Sequence, residues 1–414
     1  MMRVGLSFLG LNRYQTTRYY WETEEQNILE YDTDLFPEVL PTFFSLSKLL
    51  VFVTKEVEEH ENCQRLKDKL GELMETVRIP LGKTEEELWN IFSIVTAKVP
   101  PCATIIIDIT HAFRSLPLIV FNVASYLRRI KKVKVERIIY GNFEARDKNL
   151  VPSRTPIFDL TSTLDLQDWL HGIDAFQRRG DAEELADSLS KTQGRLYQTS
   201  HSENAILPRK LKHTAKQLRN FSEALRFLRP LETTPSAVEI CNLLKTVQNE
   251  ALRWAKPFAD VLQDINAEIS PLQNRAPDIL NIENLEAQLK LIEYYLNKDL
   301  VVQAVLLARE WLVSCLMFLT NRHVEWREKE ARLVVECELG QAASKQRESE
   351  YTGELPHWYR QIPQSSNISD AWNKLSSLRN NVAHCAMNTD AASPGTIRNN
   401  IKALIPSLEA LLDF

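Results

Sequence analysis

Hydrophobic and polar residues follow two different patterns along the chain. In the first 160 residues, short hydrophobic runs alternate with longer segments of helical periodicity. The runs that predict strands are residues 4–9, 48–54, 76–80, 103–109 and 133–140. Continuous apolar strands separated by helices of ~12–15 residues are typical of βαβ units. We therefore predict a Rossmann-like domain over residues 1–160, with a parallel sheet covered on both faces.

Beyond residue 160 the hydrophobic residues recur at helical spacing, and no further strand is predicted. The predicted helices cover residues 163–176, 209–228, 239–269, 285–296, 301–319, 322–332, 368–385 and 396–412. Residues 193–205 are polar and predict a loop or a frayed helix end, and residues 340–365 predict a mobile loop or an insertion. The prolines in residues 230–235 predict a break after the helix of residues 209–228. The predicted fold class is thus α/β plus α, with a helical linker over residues 161–275 and a helical domain over residues 276–414.

Composition and charge narrow the class of protein. Hydrophobic residues make up 44% and charged residues 25% of the 414 residues, as in ordinary globular proteins. The net charge of −5 argues against a protein that coats nucleic acid, so any RNA contact is expected in a local basic groove. The six cysteines form no CxxC pair, which indicates reduced thiols and no zinc site.

No segment predicts a membrane protein. The first residues lack the pattern of a signal peptide. Residues 301–319 are the most apolar stretch, but Arg309 and Glu310 stand in its middle, and a buried core helix explains such a pair better than a membrane span. We expect a cytoplasmic protein without a membrane partner.

Small and polar residues follow three of the predicted strands, where a parallel sheet binds its ligands. The first group is Ser7, Leu9 and Gly10, the second is Thr110, His111, Phe113 and Arg114, and the third is Gly141 and Asn142. The second group leads into a helix, and free N–H groups at a helix start favour anions such as phosphate. The alternative is a turn whose Thr110 and Ser115 only cap the helix. The chain has neither G-x-G-x-x-G nor G-x4-G-K-[ST], so a conventional NAD domain and a P-loop are not expected.

The candidate catalytic residues lie near the end of the chain. Arg379 is followed by Asn380 and, five residues after the arginine, by His384, in a segment with helical periodicity. An imidazole titrates near neutrality and can act as acid or base, and a guanidinium can hold a phosphate. By itself the R-x4-H pattern is common, and a hydrogen-bonded core histidine is the alternative. The rival pair, Arg322 and His323, is adjacent and points to different sides of a helix.

Taken together, the two ends of the chain resemble the CARF–HEPN ribonucleases of type III CRISPR systems, which respond to cyclic oligoadenylate. Residues 7–10 and 108–114 resemble the CARF pattern, and Arg379-Asn380-x3-His384 resembles the HEPN pattern. The resemblance leaves residues 165–275 without a counterpart. It implies a homodimer with cyclic oligoadenylate, tetra-adenylate being the expected ring, bound across the two-fold axis. The residues expected near this ligand are Ser7, Leu9, Gly10, Thr110, His111, Phe113, Arg114, Gly141 and Asn142.

The resemblance also implies a single composite ribonuclease site made by both protomers, which needs no metal or other cofactor and acts on single-stranded RNA. His384 would move the proton of the attacking 2′-OH or of the leaving oxygen, Arg379 would hold the phosphate, and Asn380 would orient one of the two. Five helical positions place Arg379 and His384 ~140° apart, which also favours a site completed by a second protomer.

Two other functions stay open. The chain can be a non-catalytic sensor of cyclic oligoadenylate whose helical half binds a partner or DNA. It can also be a sensor that degrades its own ligand, with Thr110 or His111 as the acting residue.

Overall fold

The computed structural model describes residues 2–22, 28–112, 115–199, 208–254, 256–347, 352–387 and 389–413. The chain divides into two compact units. The first comprises Met1–Gln167 and Arg195–Ala205, and the second comprises Asp168–Gly194 and Ile206–Phe414.

The first unit is built around one eight-stranded sheet. Its strands are β1 (Arg3–Phe8), β2 (Thr17–Glu22), β3 (Ile28–Thr33), β4 (Lys48–Val53), β5 (Met74–Arg78), β6 (Thr104–Asp108), β7 (Lys134–Gly141) and β8 (Arg154–Asp159). They lie in the order β3-β2-β8-β7-β6-β1-β4-β5. The five strands from β7 to β5 run parallel, as the continuous hydrophobic runs predicted. The Rossmann-like prediction is therefore confirmed.

The other edge of the sheet corrects the prediction of a purely parallel arrangement. β8 pairs antiparallel with β7, β2 pairs parallel with β8, and β3 pairs antiparallel with β2. β2 and β3 were not predicted, because their polar and aromatic residues form no continuous apolar run. The ladder between these two strands carries charge instead, since Arg18 donates two hydrogen bonds to Asp32 at 2.7 and 2.9 Å.

Helices cover both faces of the sheet in the first unit and make up the second. They are α1 (Val39–Phe43), α2 (Lys55–Glu58), α3 (Glu61–Leu70), α4 (Glu85–Lys98), α5 (Leu116–Arg129), α6 (Ser162–Arg179), α7 (Glu183–Thr199), α8 (Leu211–Arg226), α9 (Pro230–Trp254), α10 (Lys256–Ile269), α11 (Ile282–Asn297), α12 (Val301–Leu319), α13 (Lys329–Arg347), α14 (Trp358–Gln361), α15 (Ser365–Ala383) and α16 (Pro394–Glu409). A helical region after the sheet was predicted and is confirmed.

Three segments of the second unit differ from the prediction. The break predicted after residue 228 is present, since α8 ends at Arg226, but it is shorter than predicted. Pro230 already begins α9, where its missing N–H leaves no hydrogen bond unmade, and Pro235 lies inside that helix. Residues 322–328 are not helical, since the indole of Trp326 is buried and donates to the carbonyl of Asp278 at 2.9 Å. The polar segment from 340 to 365 continues α13 as far as Arg347 and also contains α14, whose Trp358 is buried.

Residues 193–205 were predicted as a loop or a frayed helix end, and the helix end is what the described part shows. α7 continues to Thr199, and residues 200–205 lie outside the described part of the chain.

α12 is the central helix of the second unit. It is long and apolar enough to span a membrane by length and composition alone, but 61% of its most apolar window is buried. Contacts surround it from α11, α13, α15 and α16. Arg309, in its middle, is paired with Glu336 of α13 at 2.6 Å. The ion pair and the burial identify α12 as a core helix of the bundle.

Candidate functional site

The carboxyl ends of β1, β6 and β7 meet at one edge of the sheet. β1 lies between β4 and β6, so the order of strands reverses there, and such a switch point is where open α/β sheets bind ligands. Ser7, at the end of β1, is fully buried and donates to the carboxyl group of Asp108 at 2.5 Å. The other carboxyl oxygen accepts from the backbone N–H of Thr110 at 2.7 Å. Asp108 thereby ties the two strand ends together.

The third strand end is joined to the same network. The hydroxyl of Thr110 accepts a hydrogen bond from the backbone N–H of Gly141 at 2.9 Å and also bonds to the carboxyl group of Asp108. A Cβ atom on Gly141 would lie 2.6 Å from the ring of Phe36, so only glycine fits at this position. Asn142, next in the chain, uses its side-chain oxygen to accept from Ala145 at 3.3 Å.

His111 is held from two sides. Its Nε2 atom accepts from the backbone N–H of Phe36 at 3.2 Å, and its ring stacks on Tyr14 with centroids 3.8 Å apart. Burial lowers the pKa of His111 to about 4. The ring is therefore neutral at neutral pH, with Nδ1 as its donor. His111 is thus placed to act as a neutral N–H donor at this edge.

Gly10 lies on the same side as the His111–Tyr14 stack. Its N–H donates to the hydroxyl of Tyr14 at 3.2 Å, and a Cβ atom on Gly10 would lie 2.9 Å from that hydroxyl. Burial raises the pKa of Tyr14 to about 12. The side chain of Leu9 is 3% exposed and belongs to the core, so only its backbone can face a ligand.

Asn62 supports this loop and was not predicted. Its amide donates to the carbonyls of Gly10 and Asn12 at 3.4 and 3.1 Å. Nothing in the sequence marks it, because it lies 52 residues from Gly10. Phe113 and Arg114, the remaining predicted ligand contacts, lie outside the described residues.

The carboxyl group of Asp108 is unusual in its burial. Desolvation raises its pKa to about 6, although the hydrogen bonds from Ser7 and Thr110 oppose this shift. Asp108 is fully buried, so its role is to organise the strand ends rather than to touch a ligand.

The Arg379 motif occupies the C-terminal end of α15. Leu375 and Leu378 are buried and fix the helix on the bundle, while Arg379 is half-buried and Asn380 is exposed. His384 is the first residue after the helix, exposed, with its backbone N–H donating to the carbonyl of Asn380 at 3.0 Å. The alternative of a hydrogen-bonded core histidine is therefore excluded.

Asn381 was also missed, although it stands inside the motif. Its amide donates to the carbonyl of Ser377 at 3.0 Å, and its oxygen accepts from the N–H of Ala392 at 2.8 Å. It thus joins the end of α15 to the segment before α16. Across the ranges that the structure describes, no hydrogen bond engages the side chains of Arg379, Asn380 or His384.

The rival pair is already partly engaged. Arg322 is bonded to Glu338 of α13 at 2.9 Å, and His323 is exposed beyond the end of α12. In the part of the chain that is described, no cluster of three or more His, Cys, Asp or Glu side chains could hold a metal ion.

Two protein families match separate parts of the chain. Residues 4–144 match the family described as CRISPR system endoribonuclease Csx1, CARF domain, and residues 165–273 match CRISPR-associated protein MJ1674, second domain. Over 107 residues, 25% of this chain, the sequence is 28% identical to CRISPR-associated protein MJ1674 of Methanocaldococcus jannaschii. That match spans only 16% of the relative's length.

One solved structure is also similar in its overall course. It is Enterococcus italicus Csm6 bound to cyclic hexa-2′-fluoro-hexa-dAMP, with 10% identity over 100% of this chain and 94% of that one. The TM-score is 0.43, too low to argue from. The two family matches cover the region that the resemblance assigned to CARF and the following helical region, for which the sequence alone had suggested no counterpart.

Proposed function

We propose that this chain, a CRISPR-associated protein of type III with an N-terminal CARF domain, is an endoribonuclease that cyclic oligoadenylate activates. One observation carries the proposal. An R-x4-H motif stands at the exposed end of α15, with its side chains not engaged by any described residue, in a chain whose other end is a CARF domain.

Ligand sensing is assigned to the edge where β1, β6 and β7 end. The N–H groups and hydroxyls there suit the phosphates of a cyclic oligoadenylate. The neutral His111 offers one N–H donor. The ligand-binding set is Ser7, Leu9, Gly10, Thr110, His111, Phe113, Arg114, Gly141 and Asn142, with Leu9 contributing through its backbone.

Cleavage is assigned to Arg379, Asn380 and His384. The 2′-OH of the RNA attacks the neighbouring phosphate, His384 moves a proton at this hydroxyl or at the leaving 5′-oxygen, and Arg379 neutralises the charge on the phosphorane. The products are a 2′,3′-cyclic phosphate and a 5′-hydroxyl. No step calls for a metal ion.

A homodimer supplies the complete ribonuclease site. The half-buried Arg379 and the exposed His384 stand ~140° apart around the helix by position, so one α15 presents them poorly to one phosphate. In the dimer, the second copy of α15 supplies a further arginine and histidine, so that one phosphate can be contacted by both residue types.

Sensing rather than degradation is the better role for the CARF domain. A general base needs a free lone pair, but Nε2 of His111 already accepts from Phe36. A sensor with no catalytic role is the remaining alternative, and the free Arg379 and His384 side chains argue against it.

The test is a cleavage assay on labelled single-stranded RNA with each cyclic oligoadenylate added separately, in EDTA. We expect no cleavage without activator, cleavage with one ring size, and none with Arg379→Ala or His384→Ala. Activity that survives both substitutions would sink the assignment, and loss of activity in EDTA would sink its independence of metal. Ligand recovered intact afterwards supports sensing over degradation.

A further inference from the structure

A groove between α15 and α16 lies beside the motif and has no part in the chemistry described so far. Its volume is about 440 Å³, within the range of small-molecule sites. It is lined by Asn373, Lys374, Ser377 and Leu378 of α15 and by Asn400 and Leu404 of α16. Amides, a hydroxyl and an ammonium group thus surround an apolar floor.

The groove leads along α15 towards His384. At 100° per residue, the eleven positions from Asn373 to His384 return the helix to within ~20° of the same direction. Ser377 lies between them on this face, ~10 Å along the axis from His384. A strand of RNA that has its scissile phosphate at His384 would therefore run along the face that opens into the groove.

The polar atoms that line the groove can form hydrogen bonds with the edge of a base. The amide of Asn373 donates to the carbonyl of Ala343 at 3.1 Å, which leaves its Oδ1 as an acceptor. Asn400 is exposed and offers both a donor and an acceptor. Leu378 and Leu404 are buried core residues whose edges line the apolar floor of the groove, beneath the position of the base.

Lys374 supplies the positive charge. It is paired with Asp370 on the exposed surface at 2.6 Å, and such surface pairs contribute little free energy. The ammonium group can therefore turn to a phosphate of the backbone at small cost.

We infer that this groove holds a nucleotide of the RNA substrate adjacent to the cleaved linkage, and this rests on the proposed ribonuclease function. Asn373 and Asn400 contact the base edge, Leu378 and Leu404 its face, and Lys374 the phosphate. Because Oδ1 of Asn373 is an acceptor and Asn400 offers a second one, a base with an exocyclic amino group (adenine, cytosine or guanine) is preferred over uracil.

The test compares Asn400→Leu with Asn399→Leu in the full-length protein. Both residues are exposed on α16, but only Asn400 lines the groove. With activator present, we expect Asn400→Leu to raise KM for oligoadenylate RNA about threefold to tenfold, with a smaller change in kcat. Asn399→Leu should match the wild type, and both variants should unfold at the wild-type temperature. The preference for oligoadenylate over oligouridylate RNA should shrink in Asn400→Leu alone.

Equal KM values and equal base preference in the two variants would overturn the inference while leaving the ribonuclease proposal intact. So would a change of oligomeric state confined to Asn400→Leu with KM unchanged, because the groove would then be covered by a second copy. If the wild type cleaves no RNA, the ribonuclease proposal fails, and the groove is tested by binding of fluorescent RNA of about 12 nucleotides. Weaker binding in Asn400→Leu than in Asn399→Leu supports the groove in that case, and equal binding rejects it.

Discussion

The two candidate sites of this chain are constructed in opposite ways. At the strand ends of the first unit, Ser7, Asp108, Thr110 and Gly141 form a connected hydrogen-bond network, and burial shifts the pKa values of Asp108 and His111 in opposite directions. At the end of α15, Arg379 and His384 stand at the surface, and no described residue bonds to their side chains.

The difference fits the proposed division of the chain into a sensor and a ribonuclease that the sensor activates. A rigid, pre-organised site loses little entropy on binding, so it suits a sensor that must bind a scarce ligand tightly. An incomplete site has no activity until something else completes it. The contrast is thus the one expected of a sensor that controls a composite catalytic site.

The largest effect should come from the unengaged pair. We expect His384→Ala and Arg379→Ala each to lower activated RNA cleavage by about 10²–10⁴-fold, because each removes a group that acts on the reacting phosphate. Thermal unfolding should stay unchanged for His384→Ala, since the imidazole is exposed. Initial rates at saturating activator measure the effect. His323→Ala is the matched control, and a comparable loss there would transfer the catalytic role to the rival pair.

The next effect concerns the connected site. Thr110→Val removes a bond to Asp108 and leaves the N–H of Gly141 without its acceptor, which loosens the joined strand ends. The Kd for cyclic oligoadenylate should therefore rise about tenfold to a hundredfold. Calorimetric titration measures Kd, and the activator concentration for half-maximal cleavage should rise with it. Thr42→Val, which removes only a bond to the carbonyl of Glu38 at 2.9 Å, is the control. An unchanged Kd in Thr110→Val contradicts the assignment of the ligand edge.

Asp108→Asn tests whether the pKa of the buried carboxyl group is raised, through the pH dependence of protein stability. A folded pKa of about 6, above the usual value of 3.8, means that the folded protein holds the proton more tightly. The contribution of Asp108 to stability is therefore present at low pH and lost as pH rises from about 4 to about 6. The oxygen of asparagine can still accept from the N–H of Thr110, and its NH2 group can donate to the hydroxyl of Ser7, all without the charge. The variant should therefore be more stable at neutral pH by on the order of 2 kcal/mol.

His111 adds a second pH-dependent contribution to stability, and this contribution changes with pH in the opposite direction to that of Asp108. Its folded pKa of about 4 lies below the usual 6.5, so its contribution is lost as pH falls through that window. The two groups offset one another in the wild type. Asp108→Asn should leave a steeper rise of stability between about pH 4 and about pH 6.5, seen in thermal unfolding across pH. A variant whose pH profile parallels that of the wild type would disprove the raised pKa.

The smallest effect is expected at Asn381, whose side chain bonds the end of α15 to the segment before α16. Asn381→Ala loses the bond to Ala392 and loosens the segment after His384, so kcat should fall about twofold to tenfold. Asn381→Asp keeps an acceptor for that N–H and should recover part of the loss. Asn367→Ala, at an exposed position near the start of α15, serves as the control. Equal kcat in Asn381→Ala and the wild type removes the positioning role.

The sequence predicted the elements that have a strong local pattern. Hydrophobic runs predicted β1, β4 and β6, because strands buried on both faces need apolar residues at nearly every position. β5 and β7, which are less buried, were predicted from weaker runs, and the parallel pairing of all five was predicted as well. β2 and β3 are the two outermost strands on one side of the sheet, and because they are only partly buried they have no continuous apolar run. Trp326 and Trp358 show the same limit in the helical unit, since their burial depends on distant residues that local periodicity does not report.

For the candidate sites, the sequence by itself determined which residue types stand at the strand ends and in the R-x4-H motif, because chain order alone sets these. Only the tertiary structure decided their chemical state. It joined Ser7 to Asp108 across 101 residues, turned Nε2 of His111 towards Phe36, and left His384 at the surface. Hydrogen bonding and desolvation depend on what the fold brings near a group, and that information is spread over the whole chain.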